Sequence, residues 1–397
     1  MTSSPRDTDS TGEPVALVWD ERVVDYDFGP RHPLRPVRVE LTRALVRSSD
    51  LLVDGAVEVT PEPTGEDALL RVHRESYVEA VQALSVRSDP ERAAGCGLGA
   101  GDTPAFRGMH EAAMRVCDAT VDAARRVWTG EVAHAFNPGG GLHHAMPGRA
   151  AGFCVYNDPG VAIAWLLDQG AERVCYVDVD VHHGDGVEAM FRDDPRVLTV
   201  SLHESGQFLF PGTGAVDDTG PPHARGSVVN LPLHPATTGE IWLEVFDAVA
   251  DPIIRAFDAD VLVTQLGCDS HHLDPLAHLS LTIDDMADVY TRLHRLAHDV
   301  TQGRWIATGG GGYRLVDVVP RAWTLAFAEM SGNRLPVETP FDWRELVAER
   351  TGERAPEGFT EDPVRPAPEL LERARRGAAR TIDATRRGSF RLHGIDG

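Results

Sequence analysis

Hydrophobic positions along this chain follow two alternating rhythms. Short β-branched runs read as strands: VALVWD from Val15, VAHAFNPGG from Val132, RVCYVDVD from Arg173, VLTVSLH from Val197, VLVTQLGCD from Val261 and RWIATGGGG from Arg304. Between them, GMHEAAMRVCDATVDAARRVW and MADVYTRLHRLAHDV repeat apolar residues with the helical period. NDPGVAIAWLL opens a third helix, with Asp158 expected as N-cap and Pro159 at the first helical position. Strand–helix alternation of this kind predicts an α/β fold: a single large domain whose mainly parallel sheet is covered by helices on both faces.

The rhythm sets in near residue 14 and stops near Pro336. Residues 1–13 are therefore expected to be a disordered N-terminus, 14–335 the main domain and 336–397 a partly helical extension. From Glu369 onward that extension carries seven arginines against four acids. It reads as a solvated helix and tail, with a partner-docking arm as the alternative.

Several strands finish in polar or glycine residues: Asn137, Asp178 to His182, His203, Asp269 and Gly309 to Gly312. Ligand sites of open α/β sheets lie beyond the carboxyl ends of the strands. In YVDVDVHHGDGVEAMF, Val177, Val179 and Val181 alternate with Asp178, Asp180 and His182, so a continuing strand puts three ionisable groups on one face. Buried unpaired, they are costly, and a divalent cation would compensate them.

Asp180 and His182, with Asp269 at another strand end, make a set of two carboxylates and one imidazole that leaves room for water and substrate. A buried salt-bridge network is the competing interpretation. His143 and His144 follow three glycines on an irregular loop, where adjacent side chains can reach one pocket. Asp178 and Asp185 are left to orient one imidazole each, for two proton transfers. In TGGGGYRL the glycines resemble a flexible loop delivering Tyr313, whose phenol could donate to a developing oxyanion; a packed tyrosine after a turn is the alternative.

Composition narrows the function classes. Hydrophobic residues make up 42% and charged residues 25%, as in globular proteins. A formal net charge of −23 argues against nucleic-acid binding and suits a cationic substrate. All 38 basic residues are arginines, so the chain offers no lysine for acylation. The five scattered cysteines contain no C-x-x-C, and Cys154, Cys175 and Cys268 sit in apolar runs that suggest burial. No leader-like or membrane-spanning stretch is evident, and a cytoplasmic location is expected.

The blocks HPLRPVRVELT, GGGLHHAMPGRAAGFCVYND, YVDVDVHHGDGVEAMF, SLHESGQFLFPGTG, LGCDSHHLDPLAHLSLT and GGGGYRL together resemble the zinc-dependent histone deacetylase family. They are most similar to its bacterial AcuC, or acetoin-utilisation, branch, and run in the family's order from about Asp20 to Trp323. The resemblance implies an arginase/deacetylase fold with an acyl-lysine channel, and hydrolysis of acetyl-lysine in protein substrates such as a metabolic enzyme. Small N-acetyl amines such as acetylpolyamines are an alternative substrate class, and a silent acyl-lysine binding module an alternative of another class.

Carried over by motif, Asp180, His182 and Asp269 would ligate Zn2+, with Fe2+ as an alternative ion. His143 and His144 would be the tandem histidines, backed by Asp178 and Asp185, and Tyr313 would polarise the carbonyl. Gly152, Phe153 and Phe210 would wall the channel, with Leu276 near its rim and Asp102 holding the substrate backbone. A K+ site would lie near Asp178, Asp180, His182, Ser201 and Leu202. Arg38 would assist acetate exit, with a buried salt bridge as its plain structural alternative.

Overall fold

The computed structural model describes residues 13–99 and 101–396 of the 397-residue chain. The disorder expected for residues 1–13 therefore falls, Glu13 aside, outside the described residues.

Eight strands form one sheet: β1 (Val15–Val18), β2 (Ala56–Val59), β3 (His134–Asn137), β4 (Val174–Asp178), β5 (Val197–Glu204), β6 (Val228–Leu233), β7 (Val261–Gln265) and β8 (Trp305–Thr308). Their order is β2-β1-β3-β8-β7-β4-β5-β6, and every pairing is parallel. Nearly all strand residues are buried, as expected when helices cover both faces. The helices are α1 (Val37–Ser48), α2 (Glu75–Val86), α3 (Pro90–Gly95), α4 (Met109–Trp128), α5 (Asp158–Asp168), α6 (Asp185–Phe191), α7 (Gly239–Val245), α8 (Asp251–Phe257), α9 (Ile283–Thr301), α10 (Val319–Ser331), α11 (Phe341–Thr351) and α12 (Pro368–Gly388).

β2 and β6 are not among the six runs read as strands. Both are edge strands: β2 has only four residues, with Val57 exposed, and β6 contains Pro232, which an edge tolerates because one side of its backbone needs no ladder partner. At α5 the N-cap is Asn157, whose side chain accepts from the Gly160 N–H at 2.9 Å. Asp158 is instead the first helical residue. Its buried carboxylate accepts from the N–H groups of Gly141 at 3.0 Å and Leu142 at 2.8 Å, tying the glycine loop to the helix.

β4 ends at Asp178, so Asp180 and His182 do not sit on the strand. The side chains of Asp178 and Asp180 accept from the N–H groups of Asp180 (3.2 Å) and His182 (2.9 Å), two residues on in each case. Such local bonds divert backbone donors from the ladder and end the strand.

Register across the middle of the sheet positions the site. Asn137 pairs with Thr308, Thr308 with Gln265, Gln265 with Asp178 and Asp178 with Ser201. The loops after β3, β8, β7 and β4 consequently leave the sheet at one level, on four adjacent strands. The extension also packs on this body: α12 lies against β6, buries Ala374, Ala378 and Ile382, and donates from Thr381 Oγ1 to the Pro232 carbonyl at 2.7 Å.

Candidate active site

Asp180, His182 and Asp269 are buried and converge. His182 Nδ1 lies 3.0 Å from Asp180 Oδ1 and 3.0 Å from Asp269 Oδ2. The other oxygen of each carboxylate is engaged elsewhere. Asp180 Oδ2 accepts from the Gly311 N–H and from Gln265 Nε2, both at 2.7 Å, and Asp269 Oδ1 accepts from the Val181 N–H at 2.9 Å. The second oxygen of each acid, Asp180 Oδ1 (which also accepts from the His182 N–H at 2.9 Å) and Asp269 Oδ2, is thus aimed at the ring nitrogen, the orientation that second partners impose on metal ligands.

Electrostatics point the same way. Burial and the Asp180 charge push the Asp269 carboxyl up to about 6. Burial also opposes ionisation of Asp180, but His143, His182 and Gln265 hold it well below the usual carboxylate range. Two buried acids and one imidazole within reach of a common point fit a divalent cation, with two protein charges to neutralise it.

His143 and His144 are both buried, with their Nε2 atoms 3.0 Å apart. His143 Nδ1 donates to Asp178 Oδ2 at 2.7 Å, and His144 Nδ1 to Asp185 Oδ1 at 2.7 Å. Asp178 is steadied further by the Tyr176 hydroxyl, which donates to the same oxygen at 2.7 Å. Two cations cannot sit comfortably at 3.0 Å, and the surroundings separate the pair. Burial would lower His143, but Asp178 and Asp180 override it and raise the imidazole to about 9. Burial and His143 push His144 down to about 4. The surroundings therefore favour the charged form more at His143 than at His144, and each ring is fixed from behind by a carboxylate.

Gly309 to Gly312 form a close-packed wall, not a flexible loop. All four are buried, and a Cβ on Gly311 would overlap the Asp269 carboxylate. The Gly311 carbonyl accepts from the Cys268 N–H at 2.8 Å, which fixes this run beside the acids. Tyr313, at its end, donates its backbone N–H to Asp274 Oδ2 at 2.8 Å. Burial and the charges of Asp269 and Asp180 push its phenol well above the usual range, so it remains a hydrogen-bond donor.

One cavity is lined by His143, His144, Asp180, Gly152, Phe153 and Tyr313, and reaches inward to Leu34, Arg38, Gly141 and Gly310. Phe153 has a left-handed backbone, φ +67°, unusual for a bulky residue. Its N–H donates to Thr103 Oγ1 at 2.9 Å, and its carbonyl accepts from the Tyr26 hydroxyl at 2.7 Å. The ring meets Tyr313 edge-on at 5.7 Å. Phe210 flanks the other side, 5.0 Å from the His144 ring and 6.3 Å from His182, and is 44% exposed.

Asp102 is exposed near Phe153: Thr103 Oγ1 reaches its carboxylate at 3.2 Å, and His32 Nε2 donates to its carbonyl at 2.9 Å. Leu276 is half-buried on the loop after Asp269 and donates its N–H to Asp274 Oδ1 at 3.0 Å. Ser201 faces Asp178 in register, and Leu202 beside it is buried.

Arg38 makes no salt bridge among the described residues. Its buried guanidinium donates from Nη1 to the carbonyls of Gly310 at 2.7 Å and Gly312 at 3.1 Å, and lies 5.1 Å from the Trp323 ring centre. Carbonyl dipoles replace a carboxylate there, so its positive charge is left facing the inner end of the cavity.

Several supporting residues escaped the sequence reading. Gln265 holds Asp180, Asp274 holds Tyr313, and Asn157 Nδ2 donates to the carbonyls of His143 and Ala145, both at 3.0 Å. The only sequence signals were a glutamine ending a valine-rich strand and a second acid in LGCDSHHLDP.

A family model described as the histone deacetylase domain matches residues 32–330. The acetoin utilization protein AcuC of Bacillus subtilis (strain 168) is 42% identical over 328 residues, covering 82% of this chain and 84% of that protein. The AcuC proteins of Staphylococcus xylosus and Staphylococcus aureus (strain MSSA476) are 36% and 35% identical over 324 and 342 residues, covering 81% and 84% of this chain and 84% and 87% of their own. The chain belongs to the histone deacetylase domain family.

Proposed function

We propose that this member of the family hydrolyses the acetyl amide of lysine side chains in protein substrates, a metabolic enzyme for example, and releases acetate in the cytoplasm. One observation carries the reading: two Asp-backed imidazoles with Nε2 atoms 3.0 Å apart face a cavity shared with the Asp180 carboxylate and Tyr313. The histone deacetylase domain model matching residues 32–330 supports the same class of chemistry.

Asp180, His182 and Asp269 would hold the ion, Zn2+ with Fe2+ as its competitor, which when bound supplies a Lewis acid for the amide carbonyl and makes water more acidic. His144 accepts the proton of the attacking water at Nε2, because Asp185 keeps its other ring proton on Nδ1 and steadies the imidazolium that forms. His143, cationic beside it, favours the negative charge growing on the substrate. Tyr313 donates its phenolic proton as a hydrogen bond to the carbonyl oxygen as that oxygen becomes an oxyanion. Water oxygen bonds to the acetyl carbon, the C–N bond breaks, and the departing amine takes the proton from the imidazolium.

Phe153 and Phe210 give the lysine methylenes apolar walls, with Gly152 leaving space and Leu276 at the rim. Asp102, exposed by the Phe153 wall, would accept from backbone N–H groups of an extended peptide. Arg38 would draw acetate inward by charge. K+ near Asp178, Asp180, His182, Ser201 and Leu202 belongs to the same reading.

Acetate release from an acetyl-lysine peptide and from N-acetylputrescine, compared side by side with an Asp180→Ala control, tests it. Peptide turnover that the control abolishes supports the proposal. Turnover of the amine alone moves the enzyme to small-molecule substrates, and no turnover of either refutes the reading.

A further inference from the structure

A second set of converging donors lies at the amino-terminal end of β3, the end opposite the candidate active site. His134 opens β3, in register with Val15 and Trp305, and is 1% exposed. His294 and His298 sit one turn apart on α9, a spacing that puts both rings on one face. His294 Nε2 lies 3.1 Å from His134 Nε2 and 3.0 Å from His298 Nε2.

These rings cannot all satisfy one another. His294 Nδ1 faces Glu329 Oε1 at 3.1 Å, which assigns the ring proton to Nδ1 and leaves the Nε2 lone pair aimed at the other two. That lone pair can take a hydrogen bond from only one of them well. A cation accepts all three. Glu13 Oε2 stands 3.9 Å from His298 Nε2 and 4.0 Å from His134 Nε2, close enough to close the set by a small side-chain movement. Glu329 also accepts from Thr291 Oγ1 at 3.1 Å, so the carboxylate behind His294 is itself held, as ligand-orienting groups are. The Trp305 ring stacks on His294 at 5.7 Å and shields one side.

We propose that His134, His294 and His298, with Glu13 as fourth donor, form a second divalent-metal site of the zinc class, remote from the candidate active site. Three imidazoles and one carboxylate suit Zn2+, and also Ni2+ or Cu2+, far better than the oxygen-seeking Mg2+ or Ca2+. With Glu13 moved in, four protein donors would close the set, which assigns the ion a structural role: it fastens the last turns of α9 and the segment before β1 to the start of β3. The remaining donor group among the described residues, His271, His272 and Glu361, is a poorer candidate because the Arg321 guanidinium already neutralises Glu361.

The test is the zinc content of untagged, full-length protein, stripped with chelator, reloaded with zinc and desalted, measured by plasma mass spectrometry. Wild type is expected to retain close to two zinc ions per chain. His298→Ala, at a partly exposed position that folding tolerates, should lose about one, and His294→Gln the same one. Loading with Co2+ should give visible absorption that falls in both variants. Wild-type zinc content in both variants, or a wild type that holds one ion unaffected by either change, overturns the proposal.

Discussion

The backbone N–H of Tyr313 donates to Asp274 Oδ2 at 2.8 Å, while the Leu276 N–H occupies the other oxygen at 3.0 Å. Asp274 therefore sets where the phenol stands without reaching the reacting atoms itself. Asp274→Ala should lower kcat by roughly 10- to 100-fold with KM little changed, the scale expected when a reacting group shifts by about an ångström. Steady-state kinetics on an acetyl-lysine peptide check this, and an unchanged kcat would refute the positioning role.

Tyr313→Phe removes the donor and leaves the ring that packs against Phe153 at 5.7 Å. The expected loss in kcat is about 100- to 1,000-fold, or about 2.7–4 kcal/mol of transition-state stabilisation. Thermal stability should hardly change. Equal turnover by the variant would remove the tyrosine from the mechanism.

Chelation should abolish acetate release, and zinc should restore it. Gly311→Ala should mimic chelation without a chelator, since its methyl group would displace the Asp269 carboxylate. A zinc titration followed calorimetrically should show catalytic-site affinity lost in this variant. A Gly311→Ala protein that binds and turns over normally would contradict the close packing of the glycine wall.

His73 supplies a pH prediction away from the chemistry. Burial pushes its imidazole down to about 4, and its Nε2 accepts from the Asn157 N–H at 3.0 Å while Nδ1 faces the Met146 carbonyl at 3.1 Å. Unfolded, the ring takes up a proton near pH 6.5, so between about 6.5 and 4 the unfolded state binds more protons than the folded one. Stability should fall as pH drops through that window, by an amount on the order of 3 kcal/mol at most. His73→Gln should flatten this slope in urea melts at stepped pH; an unaltered slope would assign it to other groups.

The sequence made the central architecture legible because strand and helix periods are local. VLVTQ and VCYVD announce buried parallel strands by composition, and the acids, histidines and glycines that follow them are visibly out of place in an apolar core. Residue types suited to two carboxylate ligands, one imidazole ligand and a histidine pair could likewise be named from the chain alone. The edge strands β2 and β6 could not, since an exposed valine and an interior proline weaken the very pattern that marks a strand.

Only the tertiary structure decided which atoms meet. That β3, β8, β7 and β4 are neighbours depends on pairings between distant segments, and that order brings His143, Tyr313, Asp269 and Asp180 to one level. Gln265 and Asp180 are 85 positions apart, and their 2.7 Å bond helps determine which carboxylate oxygen turns toward His182. The same holds for Arg38, whose charge finds carbonyls where the chain offers many acids, and for His134, whose nearest imidazole is 160 residues away. Periodicity is fixed by backbone geometry within a few residues. A hydrogen bond's choice of partner is fixed by the packing of the whole sheet.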